Sequence, residues 1–173
     1  MMQVTQIVTD GQTMVDPLLS LSVRAVALIT LLLWVPIVAS FRFAPGARWA
    51  GYVGIFFHLA VFLLVFKLPA PEWAKAGGYS WLLLDVAAGT LNINQVQPAI
   101  AHYVRLGGHI FAGIWIVIAS LQGSLAAKLV GLPTGVILFA YTFASPFLPR
   151  VWLSPAAILM MVWLAILAWQ NGI

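Results

Sequence analysis

Long apolar stretches separated by only a few residues are the feature that most constrains how this chain can fold. Hydrophobic residues make up 63% of its 173 positions and charged residues only 7%, whereas a soluble domain is about 25% charged. About 20 apolar residues in a row are long enough for an α-helix to cross the hydrocarbon core of a bilayer. In lipid the backbone must satisfy its hydrogen bonds internally, which a helix does. The sequence therefore predicts an all-α, integral membrane fold.

Turn residues divide the apolar sequence into six stretches, so we predict a polytopic transmembrane helical bundle with six spans. The third stretch is the most polar, and the count falls to five if the third or the fifth stretch fails to cross. The predicted spans run over about 17–41, 49–68, 71–92, 99–122, 128–147 and 151–169.

The domain organisation follows from the same pattern. Residues 1–16 are mixed in polarity and predict an N-terminal tail or a short interfacial helix, while 17–173 predict a single transmembrane helical domain. Asp16 before Pro17 is typical of a helix start, because an aspartate caps free amides and proline at the first helical position loses no needed donor.

The basic residues indicate a membrane rather than a nucleic-acid partner. The net charge of +4 comes from eight Lys and Arg residues scattered singly along the chain, which suits anchors at span ends. The expected partner is the lipid bilayer, with other membrane subunits or further copies of this chain as additional candidates. Arg42 and Arg48 share one short loop, which favours that loop inside and both termini outside a bacterial-type inner or plasma membrane.

Three ionisable residues fall near the middle of predicted spans: His58, Asp85 and His109. Charged groups at this depth are costly, so each is a candidate functional residue. The second and fourth spans run parallel, which places the two histidines at comparable depth, and Asp85 reaches the same depth from the opposite end. We therefore predict one polar cluster, although a lone buried histidine is as often a structural residue bonded to a carbonyl.

The fourth span adds a polar face to this cluster. His102, Arg105 and His109 are three and four residues apart and so lie on one side of a helix. Gly107 and Gly108 remove side-chain bulk beside His109, which permits close approach of a neighbouring helix. Asp85 should pair with His58, His109 or Arg105. Asn92 opens a polar stretch after the third span and is predicted to line one mouth of the site.

These residues support several functions. The first is a transport or permeation path for a proton, a cation or a small polar solute through the midplane His/Asp site. The second is a helical accessory subunit of a larger membrane complex. The third is a b-type haem redox anchor, in which His58 and His109 are the axial ligands and Arg105 lies near a propionate. A lipid-acting enzyme with a metal held by His and Asp is a fourth, but motifs of known enzymes are missing from the sequence.

The eight tryptophans divide into two groups by position. Four lie near predicted span ends, where indoles anchor at lipid headgroups, and four lie deeper, where we interpret them as packing residues. The first group is Trp49, Trp73, Trp152 and Trp169, and the second is Trp34, Trp81, Trp115 and Trp163.

Overall fold

The computed structural model describes residues 20–170, and the tail or interfacial helix predicted for residues 1–16 lies outside this range. Within it the chain is all-helical, as predicted, with six long helices and no strand. The helices are α1 (Val23–Phe43), α2 (Arg48–Lys67), α3 (Glu72–Ile93), α4 (Pro98–Leu121), α5 (Leu125–Ala144) and α6 (Ser154–Trp169), with a short 3-10 helix (Arg150–Leu153) directly before α6.

Two helix starts differ from the prediction, and serine side chains explain both. The first helix begins at Val23 rather than near residue 17, because Ser22 Oγ accepts a hydrogen bond from Ala25 N and caps the helix there. The fifth begins at Leu125 rather than near 128, because Ser124 Oγ accepts from Ala127 N. Asp16 and Pro17, the residues predicted for the first start, lie outside the described range.

Five of the six helices are long and apolar enough to cross a membrane, and α3 is the exception. Its glycines and polar residues, including Asp85 and Asn92, make it less apolar than the others. Nevertheless, α3 runs antiparallel to α2 along most of that helix, since Gly78 adjoins Val65 and Gly89 adjoins Gly51. It therefore covers the same depth as α2.

The six helices form a closed ring. Each packs against its neighbours in sequence, and α6 closes the ring against α1. At one end of the ring, called end A, lie the loops 44–47, 94–97 and 145–149; at the other, end B, lie the loops 68–71 and 122–124. Contacts between distant residues join the helices at each end: Arg150 Nη2 lies 3.4 Å from His102 Nδ1 at end A, and Arg24 Nε donates to Ala168 O at 3.2 Å at end B.

The outer surface of the ring is apolar, which indicates a lipid environment. Leu83 is 72% exposed, and large apolar side chains stand out from every helix, including Leu32, Phe66, Leu129 and Val162. A soluble monomer rarely exposes so large a continuous apolar surface. The structure therefore confirms the predicted class, a multi-helix membrane protein whose outer faces suit lipid.

Glycines set the closest helix contact, which lies between α4 and α5. A Cβ built on Gly113 would lie 2.6 Å from the carbonyl oxygen of Gly135, and one built on Gly135 would lie 2.6 Å from the oxygen of Gly113. Since a real Cβ atom does not approach an oxygen so closely, the crossing depends on the absence of both side chains.

Replacing Gly113 by alanine should therefore lower the melting temperature. Forcing α4 and α5 apart costs about 1–3 kcal/mol, which exceeds the ~1 kcal/mol that alanine gains over glycine inside a helix. Gly107→Ala on the same helix is the matched control, because its Cβ would meet only Leu84 Cδ1 at 3.6 Å. Thermal unfolding in detergent, followed by tryptophan fluorescence, measures both. Equal melting temperatures for the two variants would contradict the close crossing.

Candidate functional site

A partly buried histidine, 11% exposed, and a buried aspartate meet near the middle of the ring. His58 Nε2 on α2 lies 3.0 Å from Asp85 Oδ2 on α3, and Asp85 is only 6% exposed. The pair was predicted from sequence because both residues interrupt apolar helices at similar depth. The two helices present these side chains to each other.

The contact that His58 Nδ1 makes shows where the hydrogens of this imidazole lie, and therefore how many protons the pair shares. His58 Nδ1 lies 2.6 Å from the backbone oxygen of Gly54, one turn earlier on α2. A carbonyl oxygen only accepts, so Nδ1 carries a hydrogen. The contact between Nε2 and Oδ2 is a hydrogen bond only if it holds one further proton, on the imidazole or on the carboxyl group. The pair therefore shares a single transferable proton.

Two more side chains contact the Asp85 carboxyl group. The indole of Trp81, one turn earlier on α3, donates from Nε1 to Asp85 Oδ2 at 2.7 Å. From α4, Arg105 Nε lies 3.7 Å from Asp85 Oδ1 as an ion pair. We call His58, Trp81, Asp85 and Arg105 the central cluster.

Trp81 is the member that sequence analysis missed, since it was assigned to packing. Residues four apart on a helix lie on the same side, so a tryptophan at this spacing before a buried aspartate was the available signal. An indole N–H is a donor only and normally finds an acceptor when buried. Asp85 supplies that acceptor.

Gly108 allows α4 to approach the cluster. A Cβ at this position would lie 3.1 Å from Asp85 Oδ1 and 3.4 Å from Trp81 Cδ1. The predicted role of the glycine pair as a close-approach site is therefore supported at Gly108, where the neighbour is the carboxyl group itself. Gly107 faces Leu84 at an ordinary distance of 3.6 Å.

The other two predicted site residues lie beside the cluster rather than in it. His109 follows Gly108 on α4 and is within electrostatic range of Asp85, but its buried Nδ1 atom has no hydrogen-bond partner among the described residues. Asn92 lies two turns beyond Asp85, about 10 Å further along α3, and is exposed near the helix end. The structure thus brings together His58, Asp85 and Arg105 and leaves Asn92 at end A.

One side of α4 faces the interior of the ring. Gly108 faces α3 and Gly113 faces α5, so the residues on the arc between these two directions look inward. This arc, the interior stripe of α4, includes the partly buried His102, Arg105 and His109 and the buried Ala112, Ile116 and Ser120. The stripe is basic in its end A half and mostly apolar in its end B half.

Tryptophans fill the interior between the central cluster and end B. The rings of Trp81 and Trp115 are 5.9 Å apart, and those of Trp115 and Trp163 are 5.8 Å apart, between centroids. All three are almost fully buried. We call these three residues the aromatic plug. Trp115 and Trp163 pack in the interior as predicted, whereas Trp81 also bonds Asp85.

The geometry does not fit haem ligation by His58 and His109. A haem ligand needs an imidazole nitrogen directed at the iron, but both nitrogens of His58 already bond, one to Gly54 and the other to Asp85. Nor does the described part of the chain hold a group of three or more His, Asp or Glu side chains placed to bind a metal ion. The haem and metal-enzyme hypotheses therefore gain no support from the arrangement of donors.

Comparison of the chain with protein-family models, curated proteins and solved structures gives no match. The function must therefore be argued from the residues themselves.

Trp81→Phe should destabilise the protein more than Trp115→Phe does. Both variants lose similar ring volume from the core, but only Trp81 donates to Asp85, whereas Trp115 Nε1 has no hydrogen-bond partner within residues 20–170. A hydrogen bond to a charged group contributes about 1.5–3 kcal/mol, which is the expected excess. Denaturant unfolding in mixed micelles measures the difference. A larger loss for Trp115→Phe would show that the indole N–H of Trp81 contributes little.

Proposed function

We propose that this protein is an integral membrane protein that moves protons through its midplane His58–Asp85 pair. The observation that carries the proposal is the single transferable proton between Nε2 and Oδ2. In the transfer step the Nε2–H bond breaks and an Oδ2–H bond forms, so a neutral imidazole and a neutral carboxyl group replace an ion pair. A buried acid and base in direct contact are the groups that proton relays in membranes use.

The packing of the interior favours a proton over a larger solute. The aromatic plug and Phe57, all fully or almost fully buried, fill the centre of the ring beside the pair. A hydrated cation or polar solute needs a passage of its own size, whereas a proton passes between hydrogen-bonded groups that are already in contact. Among the predicted substrates, the structure therefore supports the proton best.

Access to the pair is from end A. Arg105 contacts Asp85 and its side chain is 33% exposed, while the residues nearer end B on the interior stripe are buried. The proton therefore enters and leaves from end A in this conformation. Its passage to end B requires the aromatic plug to rearrange. Two polar atoms are available on that side, Ser120 Oγ and Trp163 Nε1, which are buried without hydrogen-bond partners among the described residues.

The loops support end A as the cytoplasmic end. Arg42, Arg48 and Arg150 lie there, and no carboxylate lies in the loops of that end within residues 20–170. Towards end B lie Arg24, Lys67, Lys75 and Lys128, so the number of basic residues does not favour either end. The pairing of Arg42 and Arg48 in one short loop favours end A, and a bacterial-type inner or plasma membrane is the proposed location.

An accessory-subunit role is the second candidate, and one surface favours it. An apolar groove of about 290 Å³ runs between α4 and α5 on both sides of the glycine crossing, lined by residues that include Ile114, Val117, Val136 and Phe139. Small-residue grooves of this kind accept a helix from a neighbouring chain. Native mass spectrometry from mild detergent tests this role, because a stoichiometric partner chain would support it.

Asp85→Asn tests the proton proposal. Asparagine keeps the size of the side chain but cannot take up a proton, so a pH gradient across vesicles containing the variant should decay no faster than in empty vesicles. Flux is followed with an internal pH-sensitive dye after reconstitution. Glu72→Gln is the matched control, because it also removes one carboxylate, from an exposed position at end B, and should conduct as the unmodified protein does.

The proposal also predicts the effect of replacing His58. Glutamine in its place can bond to Asp85 but cannot exchange a proton, so His58→Gln should conduct no better than Asp85→Asn. Wild-type flux in either folded variant, with folding checked by thermal unfolding, would remove the pair from the path.

A further inference from the structure

Three basic side chains lie together towards end A: two are partly buried on α4, and Arg150 is exposed on the 3-10 helix. Arg150 Nη2 lies 3.4 Å from His102 Nδ1, and Arg105 follows His102 by one turn on the interior stripe of α4. We call Arg105, His102 and Arg150 the basic mouth. It lies between the central cluster and the cytoplasmic end.

The contact with Arg150 leaves His102 with one N–H group that can donate a hydrogen bond. Arginine only donates, so His102 Nδ1 accepts from Arg150 and the hydrogen of the neutral imidazole is on Nε2. That Nε2–H makes no hydrogen bond to any described residue. The three side chains of the basic mouth therefore offer N–H groups and two fixed positive charges.

Carboxylates of the described residues neutralise this positive charge only in part. Asp85 forms an ion pair with Arg105 but also contacts His58 and Trp81, and Glu72, the other acidic residue of the described range, lies at end B. Arginine guanidinium groups bind carboxylate and phosphate oxygens preferentially. The ligand that fits the basic mouth is therefore an anion with such oxygens.

A second observation points into the same space. His109 lies one turn beyond Arg105 on the interior stripe, and its buried Nδ1 atom has no hydrogen-bond partner among the described residues. Buried polar atoms normally have partners. An unpartnered imidazole nitrogen next to Arg105 therefore indicates that a further polar group binds there.

We propose that the basic mouth binds a small anion with phosphate or carboxylate oxygens, and that this binding draws a proton onto the His58–Asp85 pair. Arg105 is the connection, because its guanidinium is shared between Asp85 and the mouth. An anion that engages Arg105 weakens its attraction for the Asp85 carboxylate, which then takes a proton from the end A side. The second part rests on the proposed function, whereas the anion site does not.

Calorimetric titration of the purified protein tests both parts. The probes are inorganic phosphate and acetate, with choline as the cation control, and the protein is held in nanodiscs of zwitterionic lipid. Titration in two buffers of different ionisation enthalpy gives the protons taken up per anion. We expect binding of at least one of the two anions with proton uptake, and no binding of choline.

Variants distinguish anion binding at the basic mouth from general attraction to positive charge on the surface. Arg105→Gln should weaken anion binding by about tenfold or more, as expected for loss of a charge-assisted contact, and Arg105→Lys should recover part of it. Arg42→Gln is the matched control, because it removes one arginine at the same end outside the mouth, and binding should change by less than about twofold. Equal losses in Arg105→Gln and Arg42→Gln, or no binding of either anion, would overturn the anion site.

Asp85→Asn separates the two proposals. It should still bind the anion but take up no proton, and uptake equal to that of the unmodified protein would overturn the coupling. If the anion binds while Asp85→Asn vesicles conduct normally, the site stands and the proton function fails. Repeating the phosphate titration in nanodiscs with anionic lipid distinguishes the two sources of the natural anion. Loss of phosphate binding identifies a lipid headgroup as the natural occupant, and unchanged binding identifies a soluble anion.

Discussion

The structure depends on the placement of one carboxyl group, that of Asp85, away from both water and lipid. A charge in a medium of low polarity costs several kcal/mol unless partners compensate it. Three helices contribute: His58 from α2, Trp81 from α3 itself and Arg105 from α4. The compensation therefore requires α2, α3 and α4 to pack together at a fixed depth, and Gly108 allows the approach of α4.

The ring divides into two unlike halves around this group. Towards end A the interior stripe of α4 carries His102, Arg105 and His109, whereas towards end B it carries Ile116 and meets the aromatic plug. The central cluster therefore adjoins polar side chains towards end A and apolar ones towards end B. Transport through bilayers generally requires a site that is open to one side at a time, and under the proposed function this asymmetry would give the proton one accessible side.

Much of this architecture could be predicted from the sequence, because helices in lipid have to be long and apolar, and the six apolar stretches give six helices. The depths of His58, Asp85 and His109 predicted that these three would meet, since polar residues inside membranes pack towards one another, and Arg105 was one of the candidate partners of Asp85. Helix starts were harder to predict. Both starts that differ are capped by a serine, Ser22 and Ser124, and apolar periodicity does not reveal which of several nearby polar residues caps a helix.

Side-chain contacts were the least predictable part of the site. Spacing places His109 on the same side of α4 as Arg105, but small differences in rotation decide which of them reaches Asp85. Trp81 was missed because a buried tryptophan is usually a packing residue, and only its spacing of four from Asp85 distinguished it. Asn92 was expected at a mouth and lies near the end of α3, two turns from the residues that bond.

The low apolar content of α3 has a consequence for biosynthesis. A segment with a central aspartate and several glycines is retained poorly in a bilayer by itself, because the insertion machinery selects segments by hydrophobicity, and an aspartate at the centre opposes insertion by roughly 2.5–3.5 kcal/mol. His58 precedes Asp85 on the nascent chain and Arg105 follows it, so the partners that offset this cost arrive on the flanking helices. We therefore expect stable integration of α3 to depend on the presence of α2 and α4.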